Sequence, residues 1–134
     1  MIRAFRYSDL DFEWNKYTKD YPKKYISDIE LCDKRTFEID GQRVIICWKN
    51  YNLNNYQGFF IVSENFEGKN LKFLKKEMYK LADEMQIERL ETYSLKEKTI
   101  DVWHRLLGFE LEGVKRKAID GNDIGIWAIL WDRS

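Results

Sequence analysis

The stretch from Tyr56 to Phe109 constrains the fold of this chain more than any other part of it. An apolar run, Gly58-Phe59-Phe60-Ile61-Val62, has the length and ring content of a buried strand and stops at the polar Ser63-Glu64-Asn65-Phe66-Glu67-Gly68-Lys69-Asn70. Leu71, Leu74, Met78, Leu81, Ala82 and Met85 then recur at spacings of three and four, the stripe of an amphipathic helix from about Asn70 to Met85. A second strand, Arg89 to Tyr93, leads to a second helix with Ile100, Trp103, Leu106 and Leu107 on its apolar face and Gly108 as its stop. A loop between a buried strand and a helix N-terminus is a natural anion cradle, because free backbone N–H groups point into it.

The flanking segments extend this pattern. Ile2 to Arg6 reads as a short strand, and Ser8-Asp9-Leu10-Asp11 as a helix start with Ser8 as cap and an acidic first turn. That helix carries Leu10, Trp14, Tyr17 and Tyr21 and ends at Pro22, the only proline. Residues 23–34 fit either a second short helix or an irregular crossing segment. From Arg35 the period changes to two, and Asp40-Gly41 between Thr36–Ile39 and Gln42–Asn50 is a strong two-residue hairpin signal. Val44-Ile45-Ile46-Cys47-Trp48 is continuously apolar, which predicts burial on both faces. Ser94-Leu95-Lys96-Glu97 has the form of a capping box, with Thr99 as the alternative cap. Leu111–Lys117 and Ile124–Trp131 are the last two strands, joined by residues 119–123.

Composition closes off several classes. At 134 residues, with 44% hydrophobic and 16% aromatic content, the chain reads as a single domain, 1–134, with a full core. Its 23 basic and 23 acidic side chains cancel, which argues against general nucleic-acid binding. Lys69, Lys72, Lys75 and Lys76 form a local basic cluster that a solvated helix face explains. Two cysteines, Cys32 and Cys47, and one histidine leave no metal-ligand spacing, so no metal is expected, and both thiols read as buried and reduced. No signal peptide is visible and no run approaches a membrane span, which reads as a cytoplasmic protein.

The order β, α, (α), β, β, β, α, β, α, β, β, with Leu107-Gly108-Phe109 after the fifth strand and its helix, resembles the GCN5-related N-acetyltransferase (GNAT) superfamily. Gly108-Phe109-Glu110-Leu111-Glu112-Gly113-Val114-Lys115-Arg116 is similar to the common GF-x-x-EG-x-x-R ending of that family. The resemblance implies an α+β fold, a mixed central sheet of about six or seven strands flanked by three or four helices. It implies that acetyl-CoA enters where two central parallel strands splay apart, and that an amine of a small molecule or a protein attacks the thioester directly. It also assigns residues: the backbone of Ile61, Val62 and Ser63 along the pantetheine, and Gly68, Lys69, Asn70 and Lys72 at the pyrophosphate. Glu97 falls at a helix-start cofactor contact and His104 at the position of a proton donor to the leaving thiolate, for which its near-neutral pKa is suited. Glu64 is the first candidate for the base, with Glu38 and Glu91 behind it.

The loop departs from the family pattern of Arg or Gln, two residues, Gly, one residue, then Gly or Ala. Here Glu67 replaces the first position, and Asn70 and Lys72 replace the glycines, leaving Gly68. Glycines let backbone amides approach phosphate oxygens without a Cβ in the way, and a carboxylate beside a polyanion is unfavourable. The departure keeps a second reading open: a non-catalytic module on the same fold, with a protein partner at an aromatic surface formed from Tyr21, Tyr25, Tyr51, Tyr56 and Trp131. Small phage-encoded proteins of GNAT type, some associated with virions, are similar in their compact length, so a virion location belongs to that reading.

Overall fold

The computed structural model describes residues 2–11 and 30–134. Within them are seven strands: β1 (Ile2–Ala4), β2 (Asp33–Ile39), β3 (Gln42–Asn52), β4 (Asn55–Val62), β5 (Arg89–Leu95), β6 (Glu110–Ile119) and β7 (Asn122–Leu130). They form one sheet in the order β1-β2-β3-β4-β5-β7-β6. Two α-helices are described, α1 (Leu71–Glu84) and α2 (Lys98–Leu106). The sheet is mixed. β1 with β2, β2 with β3, β5 with β7 and β6 with β7 run antiparallel, whereas β4 and β5 run parallel, registered from Asn55↔Arg89 to Gln57↔Glu91. A parallel neighbour requires a crossover, and α1 lies within it. The mixed α+β architecture expected from the sequence is therefore present. Of the helices expected before residue 35, the part between 12 and 29 lies outside the described residues. By contact the chain divides into two compact units, residues 1–49 with 58–70 and residues 50–57 with 71–134.

In the first unit the apolar run of β3 is buried throughout, from Val44 to Trp48, as its lack of alternation predicts. Ile45, Cys47 and Ile61 form the centre, with Phe5, Leu10, Cys32 and Phe59 packed against it. Full burial of each aliphatic side chain stabilises the fold by about 1.5–3 kcal/mol. Cys47 is buried, and its surroundings push its thiol well above the ordinary range, so it stays protonated. Cys32 is only partly buried, which corrects the sequence expectation. The turn between β2 and β3 places Asp40 at φ 48° and Gly41 at φ 74°, a type I′ hairpin. Strand β2 already begins at Asp33, so Asp33 and Lys34 leave the segment of residues 23–34 that reads ambiguously from sequence.

Ser8 does not cap a helix. Tyr7–Leu10 is one 3-10 turn in which Arg6 holds the cap position, and Asp9 accepts from the Arg6 N–H at 2.8 Å. Asp9 is also bound by Arg3 through two bonds of 2.8 Å and by the Thr36 hydroxyl at 2.7 Å. A buried carboxylate needs a cation and full hydrogen bonding, and Asp9 meets that demand while also filling the acidic first-turn place that its sequence position suggests.

In the second unit Leu71, Leu74, Met78 and Ala82 of α1 are buried as the stripe predicts. The capping box expected at Ser94 is absent. Glu97 itself caps α2, its carboxylate accepting from the N–H groups of Thr99 (2.8 Å) and Ile100 (3.1 Å). Ser94 belongs to β5, opposite Gly125 of β7, and its hydroxyl accepts from the indole N–H of buried Trp127 at 3.0 Å. Gly108 ends the helix at φ 97°, where a Cβ would lie 2.0 Å from the Tyr79 hydroxyl. The last connection is tighter than the five-residue link expected: Asp120 (φ 49°) and Gly121 (φ 78°) repeat the two-residue turn of the first hairpin.

Candidate active site

The loop after β4 is built around Gln42, the first residue of β3. Gln42 is buried, and its carbonyl oxygen accepts from the Glu67 N–H at 2.8 Å and from the Asn70 side-chain amide at 2.9 Å. Its own amide donates to the Glu67 carboxylate at 3.0 Å. Backbone bonds from Phe66 N to Ser63 O (3.1 Å) and from Asn70 N to Glu67 O (3.0 Å) complete two tight turns. No residue from Ser63 to Asn70 has a positive φ, so the loop reaches its shape without the conformational freedom of glycine. Among the described residues, the amides of Gly68 and Lys69 take no protein acceptor.

The residues singled out in this segment have distinct surroundings. Ile61 is fully buried in the core and Val62 is half-buried. Ser63 is buried and directs both polar groups to Arg43: its N–H donates to Arg43 O at 2.9 Å, and its hydroxyl accepts from Arg43 N at 3.0 Å. Asn70 is buried under the Gln42 amide. Gly68, Lys69 and Lys72 are exposed. Lys69 Nζ lies 3.3 Å from the Glu67 carboxylate, and Lys72 Nζ sits 5.0 Å from the centre of the Phe73 ring. Glu67 therefore divides its two oxygens between the Gln42 amide and the Lys69 ammonium. Glu64 is exposed on the turn that follows β4. Glu38 bonds Arg43 at 2.5 Å, and this guanidinium holds its carboxyl below the usual range. Glu91 pairs with Arg89 at 2.9 Å.

In the second unit His104 lies on α2 against Trp127. The two rings stack at 5.1 Å between centroids and 22° between planes, and Phe109 meets the imidazole edge-on at 5.5 Å. His104 Nδ1 is 2.8 Å from the carbonyl oxygen of Ile100. A carbonyl only accepts, so Nδ1 carries the hydrogen and neutral His104 keeps its lone pair at Nε2. Burial lowers the imidazole pKa below its ordinary value, opposed by the Ile100 carbonyl and Asp101 and assisted by Lys96. His104 is thus a proton acceptor in its resting form, and it can donate only after taking up a proton. Lys96 bridges to Asp101, and Lys96 Nζ and Arg105 Cζ each lie 5.3 Å from the Trp127 ring. Glu97, expected at the cofactor, holds the N-terminus of α2.

Sequence reading missed Gln42. Its partners lie 25 and 28 residues away, so no local spacing marks it. Among the described residues no group of three or more His, Cys, Asp or Glu side chains could hold a metal ion.

No protein-family model and no curated protein sequence matches the chain. Solved structures do. A GNAT-family acetyltransferase from Bacillus anthracis superposes with a TM-score of 0.65 at 17% identity, covering 96% of this chain and 93% of the other. A ribosomal-protein-alanine N-acetyltransferase from Brucella melitensis gives 0.68 at 15% identity, with 98% and 99% covered. A variant of the spermidine N-acetyltransferase from Vibrio cholerae gives 0.66 at 14%, with 97% and 94% covered. Likeness over nearly the whole length, at identities this low, shows the fold.

Proposed function

We propose that this chain, which has the fold of the GNAT-family acetyltransferases, is an acetyl-CoA-dependent N-acetyltransferase acting on an amine of a small molecule or a protein. The observation that carries the reading is the loop at residues 63–70. It occupies the crossover between the two parallel strands, and it leaves the Gly68 and Lys69 amides without an acceptor among the described residues. The carboxylate that speaks against a polyanionic ligand, Glu67, is bound by Gln42 and Lys69. The loop therefore offers a diphosphate the amides of Gly68 and Lys69, with the charge of its carboxylate offset by the Lys69 ammonium.

Bound acetyl-CoA supplies a thioester whose carbonyl carbon the amine attacks, with the CoA thiolate as leaving group. The backbone of Ile61 and Val62 runs along the pantetheine in this reading, and Gly68 to Lys72 hold the pyrophosphate. Ser63 and Asn70 serve by anchoring the loop to β3 rather than by touching ligand. Resting His104 accepts a proton at Nε2, and in its charged form it can return that proton to a thiolate. Glu64, exposed and on the loop itself, is the carboxylate best suited to receive the proton of an incoming ammonium, because Glu38 and Glu91 are tied to arginines. No helix among the described residues is long and apolar enough to cross a membrane.

Thermal unfolding with added acetyl-CoA tests the reading. At a ligand concentration ~100 times Kd, binding stabilises the fold by about 2.7 kcal/mol, a readily measured rise in Tm. An unchanged Tm at millimolar acetyl-CoA and CoA overturns the assignment and favours a non-catalytic role for the fold.

A further inference from the structure

We infer that Gln42 is a positioning residue for the diphosphate-binding loop, holding from β3 the shape that glycines give such a loop elsewhere. The inference rests on the acetyl-CoA reading and adds a residue and a physical cause to it. A loop that must turn backbone amides toward phosphate oxygens can use glycine, which adopts open conformations at little cost, or an external clamp. Here the φ values of residues 63–70 are all of the ordinary sign.

The clamp is one primary amide. Its oxygen takes the Glu67 N–H and the Asn70 side-chain amide, and its nitrogen holds the Glu67 carboxylate. Three consequences follow. The Glu67 amide is withdrawn from any ligand, and Glu67 and Asn70 are fixed at the two ends of the turn that exposes Gly68 and Lys69. Gln42 and Asn70 are both buried, so their polar atoms have no water to fall back on, and breaking the set orphans both side-chain amides. Finally, Gln42 holds the carboxylate that would repel phosphate by its Oε1, while Oε2 faces Lys69, whose ammonium offsets the charge. The position of Gln42 directly after the Asp40-Gly41 turn makes the hairpin the rigid base of the clamp.

The test compares two ligands on three proteins by calorimetric titration: CoA, and pantetheine, which lacks the diphosphate, on wild type, Gln42→Ala and Gln42→Glu. Both variants are expected to weaken CoA binding at least tenfold while leaving pantetheine binding within about twofold. Gln42→Glu retains the acceptor for the Glu67 N–H and the Asn70 amide, but sets a carboxylate against Glu67. It keeps the test decisive if Gln42→Ala does not fold. Equal weakening of both ligands means general damage and overturns the inference. CoA binding that survives either folded variant overturns the Gln42 role alone. A wild type that binds pantetheine but not CoA, or neither, overturns the acetyl-CoA reading and the Gln42 role with it.

Discussion

His104 is the residue whose chemistry a solution measurement isolates most cleanly, because the chain has no other histidine. Its ring stacks on buried Trp127 and its Nδ1 hydrogen is taken by the Ile100 carbonyl, so the neutral form is the favoured one. Proton NMR across pH 4 to 8 should place its midpoint below 6.5, and a midpoint at or above that value contradicts the burial argument. If acetyl transfer is observed, His104→Ala should lower kcat by ~100-fold or more with little change in the affinity for acetyl-CoA. Equal losses in turnover and binding would remove its proton-transfer role. The place of His104 on the helix before Gly108 could be read from the sequence, but its protonation state could not. That state depends on a carbonyl one helical turn back and on an indole 23 residues away in sequence. Gln42 shows the opposite case, a polar residue after a turn with no local mark of its role.

The helical elements were legible from periodicity, and their ends were less so. Leu71, Leu74, Met78 and Ala82 of the stripe are buried and Leu81 and Met85 half-buried, because a 3.6-residue period needs only one apolar partner to pack against. At the start of α2, Ser94 and Thr99 both have good capping side chains, yet strand pairing takes Ser94 and the cap falls to Glu97. With Ser94 held in β5 by Gly125, the chain leaves the sheet two residues later and Glu97 reaches the exposed amides first. Glu97→Ala should therefore destabilise the protein by about 1 kcal/mol in urea unfolding, the usual value of an N-cap. Ser94→Ala should act by another route, leaving the Trp127 indole N–H unpaired in the core at a cost of about 1–3 kcal/mol. An innocuous Glu97→Ala would show that the cap bonds do not hold in solution.

On the scale of the whole molecule, acid stability reports the buried polar contacts. Arg3 holds the Asp9 carboxyl far below the usual carboxylate range, aided by the Arg6 N–H and the Thr36 hydroxyl. The folded protein then binds fewer protons at Asp9 than the unfolded chain does. Its stabilisation is whole above about pH 4 and is lost as pH falls from there toward the folded-state value. Glu38 beside Arg43 and Glu112 beside Arg89 shift in the same direction. Unfolding free energies between pH 6 and 2 should fall by on the order of 2–3 kcal/mol from Asp9 alone. Asp9→Asn should flatten that part of the slope while lowering stability at pH 7. An unchanged slope in Asp9→Asn would place the acid sensitivity elsewhere.

The amino-acid order by itself determined the succession of strands and helices from β2 onward, the first hairpin turn, the burial of β3 and the family to which the fold is similar. Each of these is set by contacts or backbone preferences within a few residues, or by a periodicity that survives any arrangement of neighbours. Only the tertiary structure decided which side chains the interior demands. Asp9 serves Arg3 and Thr36 as well as the 3-10 turn, Ser94 serves Trp127, Glu97 takes over the cap, and Gln42 ties down Glu67 and Asn70. A buried polar atom must find a partner wherever the fold brings one, and that partner can lie far along the chain. Read alone, the loop between β4 and α1 had lost its glycines and gained a carboxylate. In three dimensions the glutamate is held by Gln42 and Lys69 and the loop is clamped from β3, because burial of Gln42 and Asn70 makes their hydrogen bonds costly to break.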